Sequence, residues 1–133
     1  MKQLFVLSAF IILSNLSFAG GDIRVNGSYA GTVDSDGSVR INGSNVGKFD
    51  KDGSIHYKGR NAGKIDKDGS IRIDGRYAGK VDSDGSVRKD GSSVGKIERD
   101  GTVRKNGKNV GTAKGIDPKQ AAVIFFFGIF DPY

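Results

Sequence analysis

Asp36-Gly37-Ser38-Val39-Arg40-Ile41-Asn42-Gly43-Ser44-Asn45-Val46-Gly47-Lys48-Phe49-Asp50-Lys51 is one copy of a sixteen-residue unit that recurs through six copies between Gly20 and Gly115. In register, glycine fills three columns, represented in this copy by Gly37, Gly43 and Gly47, and these columns hold eighteen of the chain's 21 glycines. A fixed period with turn residues at fixed offsets marks a repeat architecture, and it specifies a shape more directly than an activity. Within the repeats the apolar residues are chiefly Val and Ile, and no leucine follows Leu16. Branched side chains of this kind pack well on pleated strands.

Each unit contains two short alternating runs and two turns. Asp50-Lys51-Asp52-Gly53 has Asp at the first position and Gly at the fourth, the preference of a type I turn closed by a left-handed glycine in a three-residue hairpin loop. The same loop recurs at 34–37, 66–69, 82–85 and, with Glu98 in the first place, at 98–101. It sets Phe49 opposite Ile55, Val33 opposite Val39, Ile65 opposite Ile71, Val81 opposite Val87, and Ile97 opposite Val103. A loop one residue shorter would slip the register and send each apolar partner to the solvent face. Five hairpins follow, over 30–41, 46–57, 62–73, 78–89 and 94–105, with a half-copy left at each end. The second turn, Asn42-Gly43 in this copy, joins neighbouring hairpins. Strict alternation back from Phe49 buries Gly47 and exposes Val46, so a β-bulge is expected at the third glycine column, returning Val46 to the core.

The flanks fix the setting. Lys2, the apolar run Leu4 to Leu16 and the small-x-small triplet Ser17-Phe18-Ala19 read as a secretory signal peptide over residues 1–19, cleaved near Ala19, with the repeat domain over 20–115 and an apolar C-terminal segment over 116–133. The expected destination is outside the cytoplasm: periplasm, medium or cell surface. No cysteine is present, which removes disulfides and thiolate chemistry. The formal charge is +6, falling by one when Lys2 leaves with the leader. Such a balance suits both solubility and attraction to anionic glycans or headgroups.

A lone hairpin is marginal in water, so the units must stack or close into a ring, and closure removes exposed edges. Asp117-Pro118-Lys119-Gln120 is a helix start and Gly128 a stop. Ala121, Ala122, Val123, Ile124, Phe125, Phe126 and Phe127 between them are apolar all round, too short to span a bilayer and demanding burial on every side. The expected fold is all-β: repeated hairpins of sixteen-residue period about a pseudo-five-fold axis, with a short apolar C-terminal helix or segment as central plug. The competing reading has Val123, Ile124, Phe125, Phe126, Phe127 and Phe130 docking on a membrane or protein partner.

The glycine-turned hairpins of the form Val-Gly-Lys-Ile-Asp-x-Asp-Gly-Ser-Ile-Arg, followed by the Ala/Phe-rich tail from Ala121 to Phe130, resemble the bacterial five-fold beta-flower proteins over nearly all of residues 20–133. The resemblance implies a secreted or periplasmic domain of hairpin petals about a five-fold axis, and no established activity.

Two patterns invite chemistry. Asp-x-Asp-Gly suggests a calcium loop, but Ser54, Ile55 and His56 after Gly53 supply no later bidentate carboxylate, so the turn reading prevails and no cofactor or metal is expected. More unusual are two basic columns. Arg40, Arg72, Arg88 and Arg104, with Arg24 before them and His56 in the remaining place, form one; Lys48, Lys64, Lys80 and Lys96 form the other. The register sets Lys64 opposite Arg72, Lys80 opposite Arg88, and Lys96 opposite Arg104. Either the acids two residues beyond each lysine lace these charges into a solvated network, or the columns contact sulfate, phosphate or carboxylate groups. His56 is the sole histidine, which leaves zinc sites and Ser-His-Asp or Cys-His catalysis without partners. Tyr29, Tyr57 and Tyr77 read as scattered and suited to rim packing.

The expected function is that of a non-enzymatic structural or binding module, multivalent for anionic polysaccharide or another cell-envelope component, with no nucleic acid and no membrane-spanning segment after leader removal. The alternative is an assembly component docking through its apolar C-terminal segment. Composition leaves the oligomeric state open.

Overall fold

The computed structural model describes residues 20–133; the leader expected over 1–19 lies outside the described residues. Twelve strands form one closed antiparallel barrel. They are β1 (Gly20–Val25), β2 (Ser28–Asp34), β3 (Ser38–Ile41), β4 (Ser44–Phe49), β5 (Ser54–Tyr57), β6 (Arg60–Ile65), β7 (Ser70–Ile73), β8 (Arg76–Val81), β9 (Ser86–Lys89), β10 (Ser92–Ile97), β11 (Thr102–Lys105) and β12 (Lys108–Thr112). One helix, α1 (Pro118–Phe126), follows.

Each strand pairs with its neighbours in sequence, and β1 pairs with β12 through Arg24↔Thr112 and Val25↔Gly111. The half-copies at the two ends are thus a strand each, and they seal the wall. The five hairpins read from the sequence supply ten strands, so a ring of five hairpins gives way to one of twelve strands. The physical reason is the edge: β2 and β11 would otherwise present unpaired backbone groups.

The three-residue loops set the expected registers: Phe49↔Ile55, Val33↔Val39, Ile65↔Ile71, Val81↔Val87 and Ile97↔Val103. In the loop that joins Phe49 to Ile55, Gly53, at φ 96°, donates its N–H to the Asp50 carbonyl at 3.0 Å. Its own carbonyl accepts from Ile65 N–H at 2.8 Å, tying each loop to the next hairpin. At the opposite end the two-residue turns have positive φ at both positions, as in Asn42 (52°) and Gly43 (82°), which is the type I′ geometry that matches strand twist.

Between the strands joined by the two-residue turns the register slips once in every copy. Val39 pairs with Gly47 and Arg40 with Asn45, leaving Val46 as the extra residue of a bulge. Val46 packs against the core only in part, whereas Gly47 keeps the inward place that strict alternation gives it. The bulge expected at the glycine column is therefore centred one residue earlier. A Cβ on Gly47 would lie 2.1 Å from the His56 carbonyl oxygen and 2.8 Å from the Phe130 ring. The same column meets Phe127 at Gly79, Phe126 at Gly95 and Phe125 at Gly111, so the glycines hollow the wall where the plug's rings rest.

α1 starts as the sequence predicts. Asp117 caps it, accepting from Lys119 N–H at 2.9 Å, with Pro118 in the first turn, and Gly128 at φ 76° follows its end. Val123, Ile124, Phe125, Phe126, Phe127 and Phe130 are all buried, in one core with inward Val39, Ile55, Ile71, Val87 and Val103. Phe130 packs against Phe49 and Tyr57 with ring centroids 5.5 and 5.6 Å apart. The inner side is also pinned by Lys89 Nζ, which donates to the Phe126 carbonyl at 2.9 Å.

Candidate functional site

Outward positions of the same strands carry the two basic columns. The loop registers place Lys48 opposite His56, Lys64 opposite Arg72, Lys80 opposite Arg88 and Lys96 opposite Arg104. These four pairs occupy β4 to β11. Over the rest of the ring the lysine position is threonine: Thr32 faces Arg40, and Thr112 faces Arg24. The wall is thus basic on one side, which the sequence registers imply once the ring is closed.

The two columns differ in what they touch. Arg40 Nε donates to Asp34 at 3.1 Å, Arg72 Nε to Asp66 at 3.0 Å and Arg88 Nε to Asp82 at 2.9 Å, while Arg104 pairs with Glu98 in the same way. His56 Nε2 meets Asp50 at 2.7 Å and so stands in for an arginine. Arg24 has Asp22 at 3.8 Å. The first acid of each loop is therefore taken by the arginine column, six residues along and across the hairpin. The network expected between these acids and the facing Lys and Arg charges forms through the arginines, whose Nε reaches back over the loop. Among the described residues the salt bridges all involve this column, and none involves Lys48, Lys64, Lys80 or Lys96. Lys48, Lys64 and Lys96 are exposed and Lys80 is half-buried.

The second acid of each loop is a cap. Asp36, Asp52, Asp68 and Asp84 accept from the backbone N–H of Ser38, Ser54, Ser70 and Ser86, and Asp100 from that of Thr102, each at 2.9 Å. These bonds, and secondarily those of the same residues' hydroxyls, favour the carboxylate and lower its pKa from the ordinary 3.8. Asp-x-Asp-Gly thus folds as a turn in which each acid has a partner. Among the described residues no three His, Cys, Asp or Glu side chains come together as a metal site.

At the loop end a cleft of about 580 Å³ lies between loop 82–85, the end of β10 with the loop after it, and the start of α1, lined by charges of both signs including Asp82, Asp84, Lys96 and Lys119. No described helix is long and apolar enough to cross a membrane. The strands are four to seven residues long with charged outward positions, against the roughly 9–11 residues and apolar band of a membrane-spanning barrel.

Tyrosine is where the sequence reading goes wrong. Tyr57 packs inward on Phe130, but Tyr29 and Tyr77 are 53% and 54% exposed. They also share one register position: Tyr29 pairs with Arg24 and Tyr77 with Arg72. Their spacing is three whole units, a signal present in the sequence and overlooked there.

Comparison with known proteins gives no match among family models, curated proteins or solved structures.

Proposed function

We propose that this barrel is an exported, non-enzymatic binding module that holds anionic polymers of the cell envelope against Lys48, Lys64, Lys80 and Lys96. The observation that carries the reading is the division of labour between the basic columns. The first acid of each loop is engaged by arginine or His56. Lys64, Lys80 and Lys96 each stand opposite an arginine and Lys48 opposite His56, attracted only at longer range by the capping Asp36, Asp52, Asp68 and Asp84 and held in no salt bridge among the described residues. Facing like charges cost roughly 0.2–1 kcal/mol per pair, a cost that threonine avoids in the other two copies. Lysines two strands apart are offset by two residues, Lys48 facing His56 and Lys64 facing Ser54 on the strand between them, so their backbones lie roughly 12 Å apart given the inter-strand spacing and the rise per residue. A polymer meeting several at once gains from multivalency what each contact lacks alone.

Export is supported by Lys2, the apolar run and Ser17-Phe18-Ala19. The resemblance to beta-flower proteins belongs to the same reading, supported by the glycine-turned hairpins and the apolar tail, while the closed ring of twelve strands departs from five-fold symmetry. Docking through the tail has less support, because the side chains it would offer are buried in the barrel. Catalysis has none in the repeated, near-identical surroundings of the carboxylates.

The test is binding of residues 20–133 to polygalacturonate, lipopolysaccharide and a neutral dextran at low and moderate salt. Acidic polymers bind, dextran does not, and Lys64→Gln/Lys80→Gln/Lys96→Gln weakens binding about tenfold or more and flattens its salt dependence. An affinity unchanged in this variant, or no binding to either acidic polymer, overturns the reading.

A further inference from the structure

Tyr29 and Tyr77 occupy a position that two other copies use for a hydrogen bond. In two other copies the same place holds Asn61 and Asn109, whose Oδ1 accepts the N–H of Gly63 and of Gly111 at 3.1 Å, closing the bulge. Tyrosine has no group that can make this short bond. It also leaves more than half of its surface to water, and apart from Tyr133 these are the only large apolar side chains so exposed among the described residues. Neither local hydrogen bonding nor core packing accounts for them. A single exposed tyrosine is unremarkable on a protein surface. Two at one register position, each opposite an arginine, form a repeated arrangement.

The two differ in their surroundings. Tyr77 stands in the basic wall: Arg72 is opposite, Lys80 shares its strand, and Lys64 lies across from Arg72. Arg72 is held through Nε by Asp66 at 3.0 Å, which fixes the plane of its guanidinium. Tyr29 has an arginine too, with the Arg24 guanidinium carbon 6.0 Å from the ring centre, but its other neighbours are Thr32 and Thr112.

We infer that Tyr77 is a ring-stacking element of the lysine wall, which directs the site to polymers of acidic pyranose sugars rather than to bare polyphosphate. The inference rests on the binding reading above and narrows its ligand. A pyranose presents an apolar C–H face that lies flat on an aromatic ring, and its carboxylate or sulfate points outward from the ring edge. An exposed phenol with Arg72 opposite it and Lys80 three residues along the same strand matches both halves: the ring takes the apolar face, and the cations form charge-assisted hydrogen bonds with the acid. Single-stranded nucleic acid uses aromatic stacking as well, but on successive aromatic side chains, whereas Tyr77 is the only exposed tyrosine of this side of the wall.

Four forms of residues 20–133 test this: the natural sequence, Tyr77→Ser, Tyr29→Ser, and the triple lysine variant. The probes are polygalacturonate, linear polyphosphate and oligothymidylate. Tyr77→Ser is expected to weaken polygalacturonate binding about tenfold, the scale of one lost stacking contact, and to leave polyphosphate binding unchanged. Tyr29→Ser changes neither. Both tyrosine variants keep the parent's melting temperature, because both side chains are exposed. Equal losses on polygalacturonate and polyphosphate, no loss in Tyr77→Ser, or a tighter, Tyr77-dependent affinity for oligothymidylate each overturn the stacking role. Loss of both acidic polymers in the lysine variant without effect of Tyr77→Ser defeats this inference alone. Retention of both in the lysine variant defeats the underlying reading.

Discussion

Gly95 and Lys96 are consecutive on β10 and answer to different constraints. A Cβ on Gly95 would lie 2.1 Å from the Arg104 carbonyl oxygen and 2.6 Å from the Phe126 ring, whereas Lys96 is exposed opposite Arg104. Inside the barrel the repeats are nearly interchangeable: Ile23, Val39, Ile55, Ile71, Val87 and Val103 all sit fully buried opposite glycine. Outside, threonine alternates with lysine in one column, and tyrosine with asparagine or serine in another. Shape restricts the inner wall to one solution. The outer wall is free to vary, so departures from the repeat there are not dictated by the packing of the barrel.

The largest effect should separate these two neighbours. Gly95→Ala forces a methyl into backbone and ring, and we expect it to cost about 3 kcal/mol, the upper range of overpacking because a main-chain atom cannot step aside. Lys96→Ala should fall within about 0.5 kcal/mol of the parent. Urea denaturation reads both as a shift in midpoint at unchanged slope. Similar costs for the two variants would mean that the wall is far more yielding than the packing around Phe126 implies.

The same contrast explains what the sequence shows. Loop length, apolar pairing and the cap at Asp117 are local signals, and each needs only a few residues in order: Asp50 to Gly53 for the loop, Phe49 and Ile55 for the register, Asp117 and Pro118 for α1. Closure by β1 with β12 is not local. It joins Arg24 to Thr112 across the whole repeat array, and no spacing within one unit dictates it. The purpose of the third glycine column is hidden for the same reason, since the rings that need Gly47, Gly79 and Gly95 belong to the tail. For the basic columns the register was legible, but not the partners. A hairpin written as paired letters does not show that Arg72 Nε turns back to Asp66 and leaves Lys64 outside that ion pair. The tyrosine position was legible throughout and only needed counting by sixteens from Tyr29.

A middle-sized effect is expected at the end of the barrel bearing the two-residue turns. Lys58 holds φ 50°, the left-handed region, where the equivalent residue in the preceding copy is Asn42 at 52°. Asparagine tolerates this conformation better than lysine, whose longer side chain gains no local hydrogen bond there. Lys58→Asn should therefore stabilise the barrel by about 0.5–1 kcal/mol, visible as a rise of about 2–5 °C in melting temperature. Lys58 Nζ also lies 5.3 Å from the Tyr57 ring centre, an attraction the variant gives up. A fall in melting temperature would show that this cation–ring contact outweighs the relief of backbone strain.

The smallest effect per site lies at the opposite end, in the capping acids of the loops. Asp36, Asp52, Asp68, Asp84 and Asp100 have pKa values lowered from 3.8, first by a backbone N–H and then by a hydroxyl two residues on. A carboxyl that releases its proton more readily when folded stabilises the fold above its unfolded pKa. That contribution is lost as the pH falls through the lowered folded value, because the unfolded chain then takes up the proton first. All five contributions should persist at neutral pH and fade together below about pH 4. Asparagine keeps an oxygen acceptor for the same N–H but cannot titrate there, so changing all five aspartates to asparagine should flatten the decline in stability between about pH 4 and pH 2. If the decline keeps its slope in that variant, the caps do not set the acid sensitivity of the barrel, and their bonds to Ser38, Ser54, Ser70, Ser86 and Thr102 shape the loops without linking them to pH.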